Sequence, residues 1–244
     1  MMNIRYLGHS CFLVSHESYA VIIDPFLSGN PLAAAKPEDI KVDAVLVTHG
    51  HMDHMMDAAA IALRCGCPVI ANYEVCLHLS EQGVATEAMH IGGTRSFPWG
   101  TVKLTQAFHG SGIELEGGGV KEGGMPAGIV LTMGGFTFYH AGDTALFGDM
   151  KLIGELNRLD AAALPIGDVF TMGPDDSLIA ASWLQAGAYI PMHYNTFPPI
   201  IQDAAAWLKR LESQGRKGAV LAPGESCRLG AGGLTTLSGS ATAE

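Results

Sequence analysis

An α/β fold, with two sheets at the core and helices outside, is what this sequence predicts. Three observations carry it. Strand-like apolar runs occur in both halves, helical stretches lie between them, and no polar linker or internal repeat divides the 244 residues. Hydrophobic residues make up 48% and charged residues 16%, enough to build a large core and too apolar for a disordered chain.

The elements follow in order. Residues 4–7 and 11–14 read as strands around the turn Gly8-His9-Ser10, and residues 20–23 as a third that ends at Asp24-Pro25. Residues 42–47 form a buried strand. It runs into Thr48-His49-Gly50-His51-Met52-Asp53-His54, and residues 55–63 then read as a helix. Residues 68–71 are a strand, and residues 74–82 a helix that stops at Gly83. Residues 102–107 alternate as a half-buried strand does. Residues 128–131 and 136–139 flank Met133-Gly134-Gly135, a hairpin signal. Residues 150–159, 177–186 and 202–214 read as helices, the last with Trp207, Leu208 and Leu211 on one face. Residues 161–166 and 188–192 are buried strands, and residues 219–221 and 234–235 short terminal ones. A single domain over residues 1–237 and a frayed polar tail over 238–244 are expected.

Bulk properties exclude several function classes. No apolar run approaches the roughly 18 residues of a membrane span. The N-terminus runs straight into a strand pattern without a leader, so a cytoplasmic location is expected. A net charge of −10 disfavours nucleic acid and anionic membrane as partners. It leaves room for an anionic small-molecule substrate, because bound divalent metals reverse the local field. A homo-oligomer is compatible with the apolar composition. The five cysteines, Cys11, Cys65, Cys67, Cys76 and Cys227, read as reduced thiols; Cys65-Gly66-Cys67 lacks a second pair to complete a zinc site.

The chemistry concentrates at residues 49–54. Three imidazoles and a carboxylate stand in six positions, on a turn from strand to helix, where α/β proteins place their sites. These are ligands for zinc, manganese or iron. Further candidates leave other strands: His109 after residues 102–107, Asp143 after Tyr139-His140-Ala141-Gly142, and His193 after residues 188–192.

This order, His-x-His-x-Asp-His, a distant His, Gly-Asp after a strand and a late His, resembles the metallo-β-lactamase superfamily over nearly the whole chain. Leu7-Gly8-His9-Ser10, Ile23-Asp24-Pro25-Phe26, Asn72-Tyr73-Glu74, Leu164-Pro165-Ile166-Gly167-Asp168 and Pro191-Met192-His193-Tyr194-Asn195-Thr196 are similar to a narrower branch, the metal-dependent hydrolases related to ascorbate-phosphate lactonases. The resemblance implies a four-layer αββα sandwich with two divalent metal ions at one rim, zinc first and manganese or iron as alternatives. It implies that His49, His51 and His109 hold one ion and that Asp53, His54 and His193 hold the other, with Asp143 bridging. No flavodoxin-like domain follows, which argues against the di-iron oxidoreductases of this fold.

Two ions roughly 3.5–4 Å apart can lower the pKa of a shared water enough to give hydroxide at pH 7, which would attack a carbonyl or phosphorus centre. The expected activity is therefore hydrolysis of an ester-like bond, lactone or phosphoester, in a small metabolite. A nuclease-type phosphodiesterase and a non-catalytic metal-stabilised binding module are the alternatives.

Several residues keep two interpretations. Asp24 is either a hydrogen-bond acceptor behind the ligands or a turn residue. Asp168 either protonates a leaving group or shapes its turn. His9 is a proton donor or phosphate contact at the rim, or a hydrogen-bonded turn histidine. Tyr194 and Asn195 either donate to an oxyanion or pack. His140 is expected to pack behind the site, and His16, His78 and His90 to be structural. The glycine-rich residues 110–128 are either a mobile flap over the metals or a solvated hairpin; they lack the ending of a phosphate-binding loop.

Overall fold

The computed structural model describes residues 1–237. The expected tail, residues 238–244, lies outside them. The chain opens with three antiparallel strands, β1 (Met2–Gly8), β2 (Cys11–His16) and β3 (Tyr19–Ile23). Then come β4 (Ala44–Leu46), α1 (Met52–Met55), α2 (Ala58–Cys65), β5 (Val69–Asn72), α3 (Tyr73–Ser80) and β6 (Thr86–Met89). β7 (Thr94–Phe97), β8 (Gly100–Gln106), a small hairpin of β9 (Gly112–Glu114) and β10 (Val120–Glu122), β11 (Ala127–Met133) and β12 (Phe136–His140) follow. The last part is α4 (Met150–Leu156), β13 (Ala161–Pro165), α5 (Pro174–Leu184), β14 (Tyr189–Met192), α6 (Ala204–Ser213), β15 (Ser226–Gly230) and β16 (Gly233–Leu237).

One sheet has the order β16-β15-β1-β2-β3-β4-β5-β6 and the other β14-β13-β12-β11-β8-β7. The alternation of side chains explains the layers. Ile4, Tyr6, Phe12, Val14, Val21, Ile23 and Leu46 point into the core shared with the second sheet. Their neighbours Leu7, Cys11, Ile22, Val45 and Val47 point the other way, against Ile61 and Ala62 of α2 and Val75 and Leu79 of α3. On the far side of the second sheet, Met150, Leu178, Trp207 and Leu211 bring α4, α5 and α6 into the main core. The expected αββα order of layers is thus present.

Strand direction places the site. β3, β4 and β5 run parallel, and β1 runs the same way because two antiparallel pairings separate it from β3. In the second sheet β12, β13 and β14 are parallel, and β8 shares their direction through β11. His9, Asp24, residues 48–54, His109, Asp143 and His193 all follow the C-terminal ends of these strands.

Three local expectations are corrected, and three strands appear that were not expected. The helix expected over 55–63 is two helices, because the Asp57 N–H donates to Pro25 O at 3.0 Å. The Asp57 carboxylate accepts from the N–H groups of Leu27 and Ser28. The helix expected over 150–159 ends at Leu156. Residues 219–221 form no strand; one isolated bridge joins Gly218 to Tyr189. Strands β6, β7 and β15 lack the apolar runs that would announce them: β7 reads Thr-Arg-Ser-Phe and is mostly exposed.

Candidate metal centre

Asp24 organises the floor of the site. It ends β3 in a left-handed conformation, φ 48°, with its carboxylate fully buried. Oδ1 accepts the Thr48 N–H at 2.8 Å, and Oδ2 accepts the Thr48 hydroxyl at 2.7 Å. Since that hydroxyl donates to Asp24, its contact with His49 Nδ1 at 2.9 Å must be an acceptance from Nδ1–H. His49 therefore turns an unprotonated Nε2 inward. Asp24 Oδ2 also lies 2.7 Å from His54 Nδ1, which leaves His54 Nε2 facing the cleft. Fixing the tautomer through the outer nitrogen is how histidine ligands are prepared for a metal. Of the two interpretations of Asp24, the hydrogen-bonding one matches these contacts.

The inward atoms fall into groups. His49, His51 and His109 offer nitrogens within 4.8 Å of one another, and so do His49, His54 and Asp143. A third group holds Asp53, His54, His193 and also His9. His49 Nε2 is 2.9 Å from His51 Nδ1. Asp143 Oδ2 lies 3.0 Å from His193 Nε2, 3.2 Å from His54 Nε2 and 3.6 Å from His109 Nε2, between the two sides. All seven residues expected as ligands are thus brought together.

Gly142 makes the placement of Asp143 possible. It has φ 63°, and a Cβ there would lie 2.6 Å from Ala127 O and 3.1 Å from Thr48 Cβ. Its N–H donates to His140 Nδ1, and His140 Nε2 is 2.9 Å from Ser10 O. His140 is a buried brace between the Asp143 loop and the β1–β2 turn, as expected.

Electrostatics match the geometry. Burial holds His49, His51 and His109 below the ordinary imidazole value, so they stay neutral with lone pairs available. Burial opposes the charge of His54, but Asp143, Asp24 and Asp53 outweigh it and raise this imidazole well above its usual range. Burial likewise works against the charge of Asp143, yet His193 and His54 hold it well below the carboxylate range. His54 Nε2 and Asp143 Oδ1 are buried without a hydrogen-bond partner among the described residues. Orphaned buried donors of mixed N and O type, converging in one place, fit divalent metal ions.

His9 joins the site in a way its position did not reveal. It is fully buried, with Nδ1 2.8 Å from Thr196 Oγ1 and Nε2 3.2 Å from Asp53 Oδ2. Both contacts are hydrogen bonds when Nε2 carries the proton and the Thr196 hydroxyl donates to Nδ1. Burial pushes its pKa down to about 4 although Asp53 pulls the other way.

Asp168 stands apart. It is exposed, has φ 62° and accepts its neighbour's N–H, from Val169, at 2.8 Å. Asn195 Oδ1 accepts the Gln202 N–H, and Tyr194 is buried. Residues 110–128 contain the β9–β10 hairpin, tied down by a residue given no role in advance. Ser111 Oγ donates to Gly123 O at 2.9 Å and accepts the Gly50 N–H at 3.1 Å. A serine inside a glycine-rich stretch beside a ligand was its only signal. Among the described residues no helix is long and apolar enough to cross a membrane.

Comparison with known proteins agrees with this geometry. Residues 19–194 match the model of the beta-lactamase superfamily domain. A UPF0173 metal-dependent hydrolase of Bacillus thuringiensis is 52% identical over 229 residues, covering 93% of this chain and all of the relative. The structure of Igni18, a metallo hydrolase from the archaeon Ignicoccus hospitalis, superposes with a TM-score of 0.84 at 36% identity, over 92% of this chain and 97% of that one. A metallo-beta-lactamase fold protein from Bacillus subtilis shares the fold, with TM-score 0.69 at 14% identity over 92% of this chain and 98% of that one. A centre built at the rim of two facing sheets, a matching family model and relatives of full length together show that the chain belongs to the metallo-β-lactamase superfamily, among its metal-dependent hydrolases.

Proposed function

We propose that the protein hydrolyses an ester-like bond, lactone or phosphoester, in a small metabolite, with two divalent metal ions as cofactors. His49, His51 and His109 would hold one ion, Asp53, His54 and His193 the other, and Asp143, placed between the two groups, would serve both. The observation that supports this most is the position of Asp143 Oδ2, within 3.6 Å of imidazoles from both groups. Zinc suits this mixed donor set best, with manganese or iron as alternatives. Divalent ions held there would supply Lewis acidity, lowering the pKa of a water towards neutrality and polarising the substrate's oxygen.

The chain's own residues do the rest. Asp24 and Thr48 fix the inward nitrogens of His54 and His49. His9 donates to Asp53 and holds its carboxylate at the cleft. Asp168, exposed after β13, orients the substrate or protonates the leaving group. Asp168→Asn should lower turnover without changing metal content; unchanged turnover removes that role.

The test is a panel of lactone, phosphodiester and thioester substrates on metal-reconstituted protein. Turnover of one class, lost on chelation, restored by metal and absent in Asp143→Ala, is the expected result. Turnover that survives full removal of metal would overturn the proposal.

A further inference from the structure

Beside the centre lies a cavity of about 790 Å³. His109 is on its wall, and so is Gly110, where a Cβ would come within 3.5 Å of His51 Nε2. Centre and cavity therefore share a partition. Ile91, Phe108 and Met125 give the cavity an apolar surface. Phe108 and Met125 remain 66% and 62% exposed, so they have area left to cover.

The lining pairs two carboxylates with two imidazoles, His90 and His109. Glu74 and Glu122 contribute carboxylates, and no Lys or Arg lines the space. The Lys and Arg ion pairs among the described residues are Arg95–Glu87, Lys121–Glu81 and Arg210–Asp175, so neither carboxylate is neutralised in one. Glu74 lies against the opposite wall. It sits in the first turn of α3, and its carboxylate packs so closely on Gly124 that a Cβ there would collide with it. Asn72 holds that wall, donating from Nδ2 to Gly123 O at 2.7 Å and to Met125 O at 2.8 Å. The N-terminal turn explains why an acidic residue suits position 74. It does not explain why the cavity lacks a lysine or arginine.

We propose that this cavity receives the non-reacting part of the substrate, and that it admits an uncharged or positively charged group with apolar surface while rejecting phosphate and carboxylate groups. Glu74 is the selecting residue. The proposal rests on the hydrolytic function of the adjoining centre and narrows its substrates to those whose non-reacting part is uncharged or bears an amine. An anionic handle in the cavity would meet two carboxylates and no lysine or arginine, and any ions of the centre would lie beyond the His109 partition, whereas an ammonium would be attracted to both carboxylates.

Two experiments on zinc-loaded protein separate this proposal from the one it rests on. In the first, methyl-labelled methionine is observed by NMR while phenyltrimethylammonium, benzyl alcohol or phenyl phosphate is titrated in. The Met125 signal is identified by Met125→Leu. The ammonium and the alcohol should shift it, and the phosphate should bind there at least about tenfold more weakly than the ammonium. Glu74→Gln, and independently Glu122→Gln, should narrow the ammonium-to-phosphate ratio by several-fold. A Met125 signal moved equally by ammonium and phosphate, moved by none of the three, or unchanged in its preference in both variants overturns the pocket. In the second, kcat/KM is compared for matched carboxylic esters bearing a trimethylammonium, no charge or a carboxylate. The same order is expected, with the cation-to-anion ratio reduced in Glu74→Gln; an anionic ester preferred by the native protein overturns the pocket. The expected Met125 pattern with no hydrolysis of any ester would uphold the pocket and remove carboxylic esters from the substrates of the adjoining centre instead.

Discussion

At the scale of single residues, one buried carboxylate orients two of the candidate ligands. Asp24 fixes His54 directly and His49 through Thr48. Asp24→Ala should therefore weaken metal binding by about 10- to 100-fold, as losses behind a histidine ligand do. Competition with a fluorescent chelator measures this; native affinity would mean the imidazoles orient without help. Thr48→Val should weaken binding less, since His54 keeps its own bond to Asp24. The convergence of the seven candidate ligands was legible in the sequence because metal chemistry accepts few side-chain types, and these recur after strands. The contact of His9 with Asp53 was not. It joins residues 44 apart, and nothing in the Gly-His-Ser turn indicates which side chain the imidazole will meet.

At the scale of elements, the glycine-rich segment is a fastened hairpin. Asn72 serves it twice: Oδ1 caps α3 by accepting the Val75 N–H at 2.8 Å, and Nδ2 holds Gly123 and Met125. Asn72→Ala removes a helix cap and leaves two carbonyls without a donor. The expected loss is about 2 kcal/mol of stability, with faster hydrogen exchange in the first turn of α3 and in β9 and β10. Urea unfolding and exchange rates test the two parts separately. Gly142→Ala should cost about 1–3 kcal/mol, because a side chain at that φ is strained and would also strike Ala127 O; retained stability would show that the Asp143 loop can shift. The central strands were legible as apolar runs. The edge strands were not, since β7 draws its place from pairing with β8 and leaves most of its side chains in water. The break between α1 and α2 was hidden for a related reason. Asp57 gives its N–H to Pro25, a partner that only the folded chain supplies.

At the scale of the whole molecule, burial of thiols predicts how stability depends on pH. Cys67 and Cys76 are pushed up to about 11 and Cys227 to about 12, in each case by burial first. A raised thiol pKa means the native state holds its proton more tightly than the unfolded chain does. That contribution is complete below the ordinary value of 9 and is lost as pH rises through 11. The midpoint of urea unfolding should fall between these limits; a constant midpoint would contradict the burial. Metal should act in the opposite sense. Ligands bound only by the native state raise the melting temperature with concentration, so chelation should lower it, and a melting curve indifferent to zinc would count against the centre. The layer order was legible because two-sided apolar alternation is strong in the central strands. The narrow separation of the two donor groups was not, as it depends on how the two sheets face each other. That facing has a further consequence for biosynthesis. His49, His51, Asp53, His54 and His109 leave the ribosome early, whereas Asp143 and His193 emerge much later. A nascent chain that stops short of β14 has no full set of donors. With the ligands as proposed, completion of the two-ion centre would then be a late event, one that requires synthesis to have passed residue 193 and both halves to have met.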